Sequence, residues 1–276
     1  MQFGFSTNAF REYQLEDAIE ELADAGYDGV EILLDEPHLY PPNATEDEIA
    51  RVRTVLDDND IAISNANAFM LTAIEDFHHP SFIEPDEDYR RERIDYTLAA
   101  LDTAAELGAP HISIEPGGPI PEGKSREWAT DAFVDGLREV AERAEAVGVD
   151  VMVEPEPDLL IETSDEFFDL VARIDSERVR CNFDAGHLYC VGEDPTALVA
   201  DLDEFTTHYH LEDIPADRRH EHTQLGEGSM DIDGFLGELD DRGYDGFVTI
   251  ELYPYEETPV ETARGAMAYL EERGWA

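Results

Sequence analysis

The chain has 276 residues, 42% of them hydrophobic, which is enough to bury a large core and too apolar for a disordered protein. Its 67 acidic residues face only 18 basic ones, a formal net charge of -49 with Lys124 the single lysine, so a wide basic footprint for nucleic acid is disfavoured. No run approaches the ~18 apolar residues of a membrane span, and no charged segment leading into an apolar stretch opens the chain, so a soluble cytoplasmic protein is expected.

From the N-terminus a rhythm repeats: a short apolar strand, a polar turn, then an amphipathic segment closing near Gly or Asp. The pattern predicts strands at 3–6, 29–33, 61–65, 111–114, 149–153, 179–183, 206–211 and 246–252. Helices are predicted at about 15–25, 45–58, 86–107, 125–147, 164–173, 195–203, 231–241 and 258–273. Thr45 with Glu48 reads as a capping box at the second helix. Eight strands alternating with eight helices imply parallel pairing through right-handed crossovers, and hence a single α/β domain over 1–276, a (β/α)8 TIM barrel. No Gly-x-Gly-x-x-Gly follows the first strand, which argues against a dinucleotide fold.

The longest irregular stretch, about 66–85, is expected either to cover the top of the barrel as a lid or to pack on its rim. Cys181 and Cys190 are too few for a disulfide framework and read as buried free thiols. Acids are spread over every helical segment rather than gathered in a tail. That is the solvated coat expected of a protein from a halophile, whose salt screens the self-repulsion.

In such barrels, chemistry is assembled where the strands end. Strand 4 closes in Glu115, strand 5 in Glu154, strand 6 in Asp184 with His187 three residues on, strand 7 in His210 and strand 8 in Glu251. Three carboxylates and an imidazole from strands 5 to 8 would repel one another at one rim unless a cation sat between them. Glu154, Asp184, His210 and Glu251 are therefore the candidate ligands of a divalent metal, with Mn2+, Mg2+ or Co2+ favoured and Zn2+ also compatible. Gly117-Gly118 is read as a turn rather than a phosphate cradle. Four of the nine histidines lie between 205 and 231, and His208 is expected to support His210 from inside the barrel.

VEPEP at 153–157, NFDAGH at 182–187, HYHLED at 208–213, HEHTQLGEG at 220–228 and TIELYP at 249–254 together resemble the xylose isomerase-like TIM-barrel superfamily, with GYDGVEI at 26–32 adding strand 2. That superfamily holds sugar phosphate isomerases and epimerases and the type IV endonucleases that act on abasic DNA. The resemblance makes Glu154 and Glu251 the catalytic acid/base pair as well as ligands, and His187 a residue that orients a substrate oxygen. It places an arginine of the loop after strand 7, Arg218 or Arg219, on the substrate, and an acid shortly after the strand-5 glutamate, for which Glu156 and Glu162 are near. The endonuclease branch uses further histidines after strands 3 and 4, where this chain has Asn65, Asn67 and Glu115, and an acid-x-His pair that here becomes His220-x-His222. A second metal held by Glu115, His187 and His222 is the corresponding expectation.

The expected reaction is isomerisation or epimerisation of a small sugar or polyol, phosphorylated or not, through an enediolate. An inosose-type dehydration would use the same centre. Phosphodiester hydrolysis of abasic DNA and a non-catalytic sugar-binding barrel are the remaining readings, with no nucleic-acid or membrane partner expected. Many members of the superfamily are homo-oligomers.

Overall fold

The apolar runs become eight strands: β1 (Gln2–Ser6), β2 (Gly29–Leu33), β3 (Ala62–Asn67), β4 (His111–Ile114), β5 (Asp150–Val153), β6 (Val179–Asp184), β7 (Thr206–Leu211) and β8 (Phe247–Ile250). Each pairs in parallel with the next, and β8 returns to β1, so the sheet closes into a barrel. The structure is a computed structural model that describes residues 1–72 and 78–276. Among those residues nine α-helices wrap the barrel: α1 (Leu15–Asp24), α2 (Glu46–Asp58), α3 (Glu87–Leu107), α4 (Arg126–Val147), α5 (Ser164–Val171), α6 (Ala185–Cys190), α7 (Pro195–Leu202), α8 (Ile232–Asp241) and α9 (Pro259–Arg273). Among the described residues no helix is long and apolar enough to cross a membrane.

Local chemistry sets the boundaries. Thr45 and Glu48 form the predicted capping box, and Asp86, Ser125 and Thr163 cap the starts of α3, α4 and α5 through their side chains. Helices α3, α4 and α9 stop at Gly108, Gly148 and Gly274, each left-handed, a conformation that favours glycine. Two differences from the sequence pattern bear on the barrel rim. Strand β3 runs on to Asn67, which brings both Asn65 and Asn67 into the barrel. Helix α6 was not predicted, because six residues containing a glycine are too few to show a 3.6-residue period; Asp184 starts it by accepting the His187 N–H at 2.7 Å.

Strands buried on both faces divide their residues between the helical shell and the barrel interior. On the shell side, Phe235 of α8 stacks on Phe183 of β6 at 5.8 Å and meets Tyr209 of β7 at 5.9 Å. Burying each such aromatic side chain stabilises the fold by roughly 1.5–3 kcal/mol, and this contact holds β6 and β7 in the register that aligns Asp184 with His210. The interior is polar. His208 sits between Asn182 Oδ1 at 2.6 Å and Thr249 Oγ1 at 2.7 Å, and His111 Nδ1 donates to Asn65 Oδ1 at 2.9 Å. Gly4 makes room for this layer, since a Cβ there would lie 2.8 Å from both Ser64 Oγ and Thr249 Oγ1.

Part of the 66–85 loop, residues 73–77, lies outside the described residues, and with it part of the expected lid. Its described ends are tied by Arg93 of α3, which is fully buried and donates to Phe69 O at 2.7 Å and Pro80 O at 2.8 Å. Cys181 is buried and Cys190 half-buried, both as free thiols.

Candidate metal centre

Glu154 and Glu251 each follow the last residue of their strand, Asp184 is the last residue of β6 and His210 the last but one of β7. The register pairs Asp184 with His210 and His210 with Thr249, so four neighbouring strands deliver these side chains to one point. One ligand atom from each lies within 4.8 Å of all the others, and all four residues are buried. His210 Nδ1 faces the carboxylates at 3.2 Å from Glu154 Oε1, 3.7 Å from Asp184 Oδ2 and 3.7 Å from Glu251 Oε2. Asn182 donates to Glu154 Oε2 at 2.6 Å and Asn8 to Glu251 Oε1 at 2.8 Å, so each glutamate is held by one oxygen.

The electrostatics are those of surplus buried charge. Burial raises Glu154, partly offset by the His210 charge beside it, and burial raises Glu251 well above the usual carboxylate range. Burial alone would lower His210, but Glu31, Glu154 and Glu251 together lift it well above the usual histidine value. Asp184 Oδ2 is buried with no hydrogen-bond partner. Three carboxylates, one of them with a bare buried oxygen, and one imidazole within this radius fit a divalent cation that accepts mixed O and N donors.

One residue of this centre escaped the sequence reading. Glu31 of β2 is fully buried, and its Oε2 accepts the His210 Nε2–H at 2.6 Å. Asn65 donates to the same oxygen at 2.7 Å and Asn67 to Oε1 at 3.1 Å. Burial would raise Glu31, but the charge and hydrogen bond of His210 lower it far below the ordinary range. With its Nε2–H committed to Glu31, His210 turns Nδ1 toward the other three side chains, the arrangement that fixes a metal-binding histidine. The signal was available: a glutamate in the middle of an apolar strand, GVEIL.

The remaining candidates divide. His187, His220 and His222 converge, with His187 Nε2 at 3.0 Å from His220 Nε2 and 3.3 Å from His222 Nε2. His187 donates Nδ1–H to Pro155 O at 3.2 Å and His222 donates Nδ1–H to Glu251 O at 2.9 Å, so both present a bare Nε2 to this group. Burial lowers all three below the usual histidine value, His222 to about 3. Glu115 is not part of the cluster. The set expected from sequence, Glu115 with His187 and His222, is replaced by a histidine trio, because Arg93 draws Glu115 toward α3 at 3.6 Å. Glu156 is buried beside the centre, 4.0 Å from His220 Nδ1, and burial followed by the Glu154 and Glu251 charges raises it well above the usual range. Glu162 is bound up at the surface with Arg126 at 3.6 Å. Both arginines are exposed and line one cavity of about 580 Å3, but their partners differ: Arg218 stacks on Tyr189 at 4.1 Å and also lines a cavity of about 300 Å3, whereas Arg219 is paired with Asp217 and Glu221. Gly117 and Gly118 turn the chain with φ near 100°.

A family model described as xylose isomerase-like TIM barrel matches residues 19–273. Inosose dehydratase of Clostridium beijerinckii is 27% identical over 95% of this chain and 91% of its own length. Fructoselysine 3-epimerase of Escherichia coli O157:H7 is also 27% identical, over 97% and 96%. Among solved structures, a D-tagatose 3-epimerase-like protein superposes with a TM-score of 0.79 at 24% identity, covering 99% of both chains. The IolI protein, solved with a bound zinc atom, gives 0.79 at 20% identity over 98% of this chain and 97% of its own. At those identities the two superpositions establish the fold.

Proposed function

Because the chain belongs to the xylose isomerase-like TIM-barrel family, we propose that it is a divalent-metal-dependent isomerase or epimerase of a small sugar or polyol. The observation that carries the proposal is the meeting of Glu154, Asp184, His210 and Glu251 within 4.8 Å. Two relatives of matching length are named for inosose and for fructoselysine, an inosose dehydratase and a fructoselysine 3-epimerase, which supports a sugar or polyol substrate here.

Glu154, Asp184, His210 and Glu251 would hold the cation. A divalent cation there supplies Lewis acidity toward a substrate carbonyl and its neighbouring hydroxyl. Glu154 and Glu251 would reach the substrate from different strands; Asn182 and Asn8 fix one oxygen of each, and the second oxygen of each faces His210 Nδ1, at 3.2 Å for Glu154 and 3.7 Å for Glu251. One glutamate takes the proton from the carbon between carbonyl and hydroxyl, giving an enediolate. For epimerisation the other, as a carboxylic acid, delivers its own proton to the opposite face while the first keeps the one it took; for isomerisation one residue carries the proton to the adjacent carbon. His187 offers its bare Nε2 to a substrate hydroxyl. Arg218, exposed on the loop after β7, would contact the distal end of the substrate.

The test is turnover of a ketose and keto-polyol panel by Mn2+-loaded protein in molar salt. Glu251→Gln is expected to lower kcat by at least 100-fold with an unchanged circular dichroism spectrum. If chelation leaves every tested reaction unaltered, the proposal fails. The inosose dehydratase relative favours one second reading: dehydration after the same proton abstraction. In that case a keto-inositol would lose water rather than change configuration.

A further inference from the structure

Two acids follow β7, and they turn opposite ways. Glu212 lies beside Asp184, fully buried, with neither side-chain oxygen hydrogen-bonded. Asp213 is also buried, but its carboxylate accepts four backbone N–H groups. Oδ1 takes those of Ile214 at 2.9 Å and Met230 at 3.0 Å, and Oδ2 takes those of Gly226 at 3.0 Å and Gly228 at 2.9 Å. The backbone of Asp213 pairs with that of Thr223 in both directions, at 3.0 and 2.8 Å, and Ser229 N–H donates to Ile214 O at 2.8 Å. One side chain thus ties both stems of the loop after β7 to the strand end.

Between the stems runs the excursion 214–222, which carries Arg218, His220 and His222. Within it only Ile214 and His222 are buried, so apolar packing holds little of it. Bonds from N–H groups to a carboxylate are stronger than neutral ones, and they hold the stem. Arg218 sits at φ 58°, a left-handed conformation that a residue with a side chain keeps only where its surroundings impose it. The glycines fit the clamp: Gly226 is left-handed at φ 85°, and a Cβ at Gly228 would collide with Asp213 Oδ1 and Ile214 O. We propose that Asp213 is a positioning residue whose carboxylate clamps this loop, so that His222 meets Glu251 O at 2.9 Å and Arg218 faces the distal end of the substrate. The inference rests on the reading of Arg218 as a substrate contact.

Asp213→Ala in the full-length protein removes the clamp, and formate, which matches the missing carboxylate in size and charge, is the probe. Arg218 and Arg219 are exposed, so trypsin cuts after them when the loop opens locally. In molar KCl this cleavage should be about tenfold faster than in wild type with cleavage elsewhere unchanged, and formate replacing chloride at constant ionic strength should slow it again. On the best ketose of the panel, KM should rise about tenfold and kcat fall less than about threefold, because Arg218 stands away from the reacting carbons. Formate should restore KM. Gly228→Ala keeps the carboxylate but forces it off its donors. It should give the same tryptic and kinetic changes without rescue, and it stands in if Asp213→Ala does not fold. Cleavage within about twofold of wild type, or faster by the same factor at every arginine, overturns the clamp. So does a formate effect no greater than that of chloride. A loop that opens with KM unchanged overturns its part in substrate binding. If the wild type turns over no ketose, the proposed reaction fails, and the tryptic pattern alone confirms or overturns the clamp.

Discussion

Glu31→Gln tests how the candidate centre is organised, because it changes one atom in a residue that touches no substrate. Glu31 accepts three hydrogen bonds: from His210 Nε2 at 2.6 Å, Asn65 Nδ2 at 2.7 Å and Asn67 Nδ2 at 3.1 Å. An amide keeps one acceptor oxygen and replaces the other with a donor, so one of these contacts must become donor against donor. Asn67 cannot turn to help, since its Oδ1 already accepts the Phe69 N–H at 3.1 Å. If the new amide oxygen faces Asn67, its NH2 points at His210 Nε2 and drives the ring proton to Nδ1, the nitrogen that faces Glu154, Asp184 and Glu251. If it faces His210, the buried amide of Asn67 loses its shorter contact and keeps only Glu251 Oε1, on a candidate ligand, at 3.5 Å, which costs about 1–3 kcal/mol. Either way Mn2+ affinity should fall about 10- to 100-fold, or roughly 1.4–2.8 kcal/mol. Calorimetric titration with Mn2+ at fixed high salt measures the affinity, and nitrogen-15 shifts of the His210 ring report its tautomer. An affinity within twofold of wild type, with Nδ1 still unprotonated, would show that Glu31 does not set the orientation of His210.

Metal removal should also cost stability. At 100 times its dissociation constant a bound ion contributes about 2.7 kcal/mol, so chelation should lower Tm by roughly 5–10 °C in a calorimetric scan, and an unchanged Tm would argue against a buried ion. With a net charge of -49, Tm should climb as KCl rises from 0.2 to 3 M, and a flat profile would refute self-repulsion as the dominant surface force. His38, whose Nε2–H donates to Phe10 O at 3.1 Å, is lowered by burial to about 4. The unfolded chain therefore takes up that proton first, so the stability it confers is present above about pH 6.5 and is lost as pH falls toward 4. His38→Gln, which keeps a donor for Phe10 O, should flatten the acid limb of a Tm–pH curve; an unaltered limb would clear His38 of that role. Phe235→Ala, cut from the aromatic group against β6 and β7, should cost about 3–5 kcal/mol in salt-balanced denaturant unfolding, and a cost below 1 kcal/mol would mean that α8 does not hold their register.

The barrel was legible because its signals are local. Apolar runs of four to seven residues, capping residues such as Thr45 and Asp86, and glycines such as Gly108 and Gly148 act within a turn of their own position. Elements long enough to repeat a period were therefore located to within two residues, as for α3 and α4. Helix α6 shows where that logic stops. Six residues give less than two turns, and what initiates the helix is the side chain of Asp184, which also looked like a pure ligand in the sequence.

The candidate centre was legible only as far as strand ends announce themselves. Glu115 in ISIEP and Glu154 in VMVEP are nearly the same local word, an acid and a proline after an apolar strand. What separates them is Arg93, which comes from α3, donates to Phe69 O and Pro80 O and lies 3.6 Å from Glu115, while Glu154 stays 3.2 Å from His210. Glu31 and Glu212 were hidden for the opposite reason. One lies mid-strand, where a period of two cannot say whether a side chain faces the barrel interior or the helices, and the other adjoins an exposed-looking HLED turn that the fold buries completely. An acidic surface deepens the problem: where acids are common on every helix, a buried one carries no mark in sequence, and only the absence of a countercharge around it, as at Glu212, sets it apart.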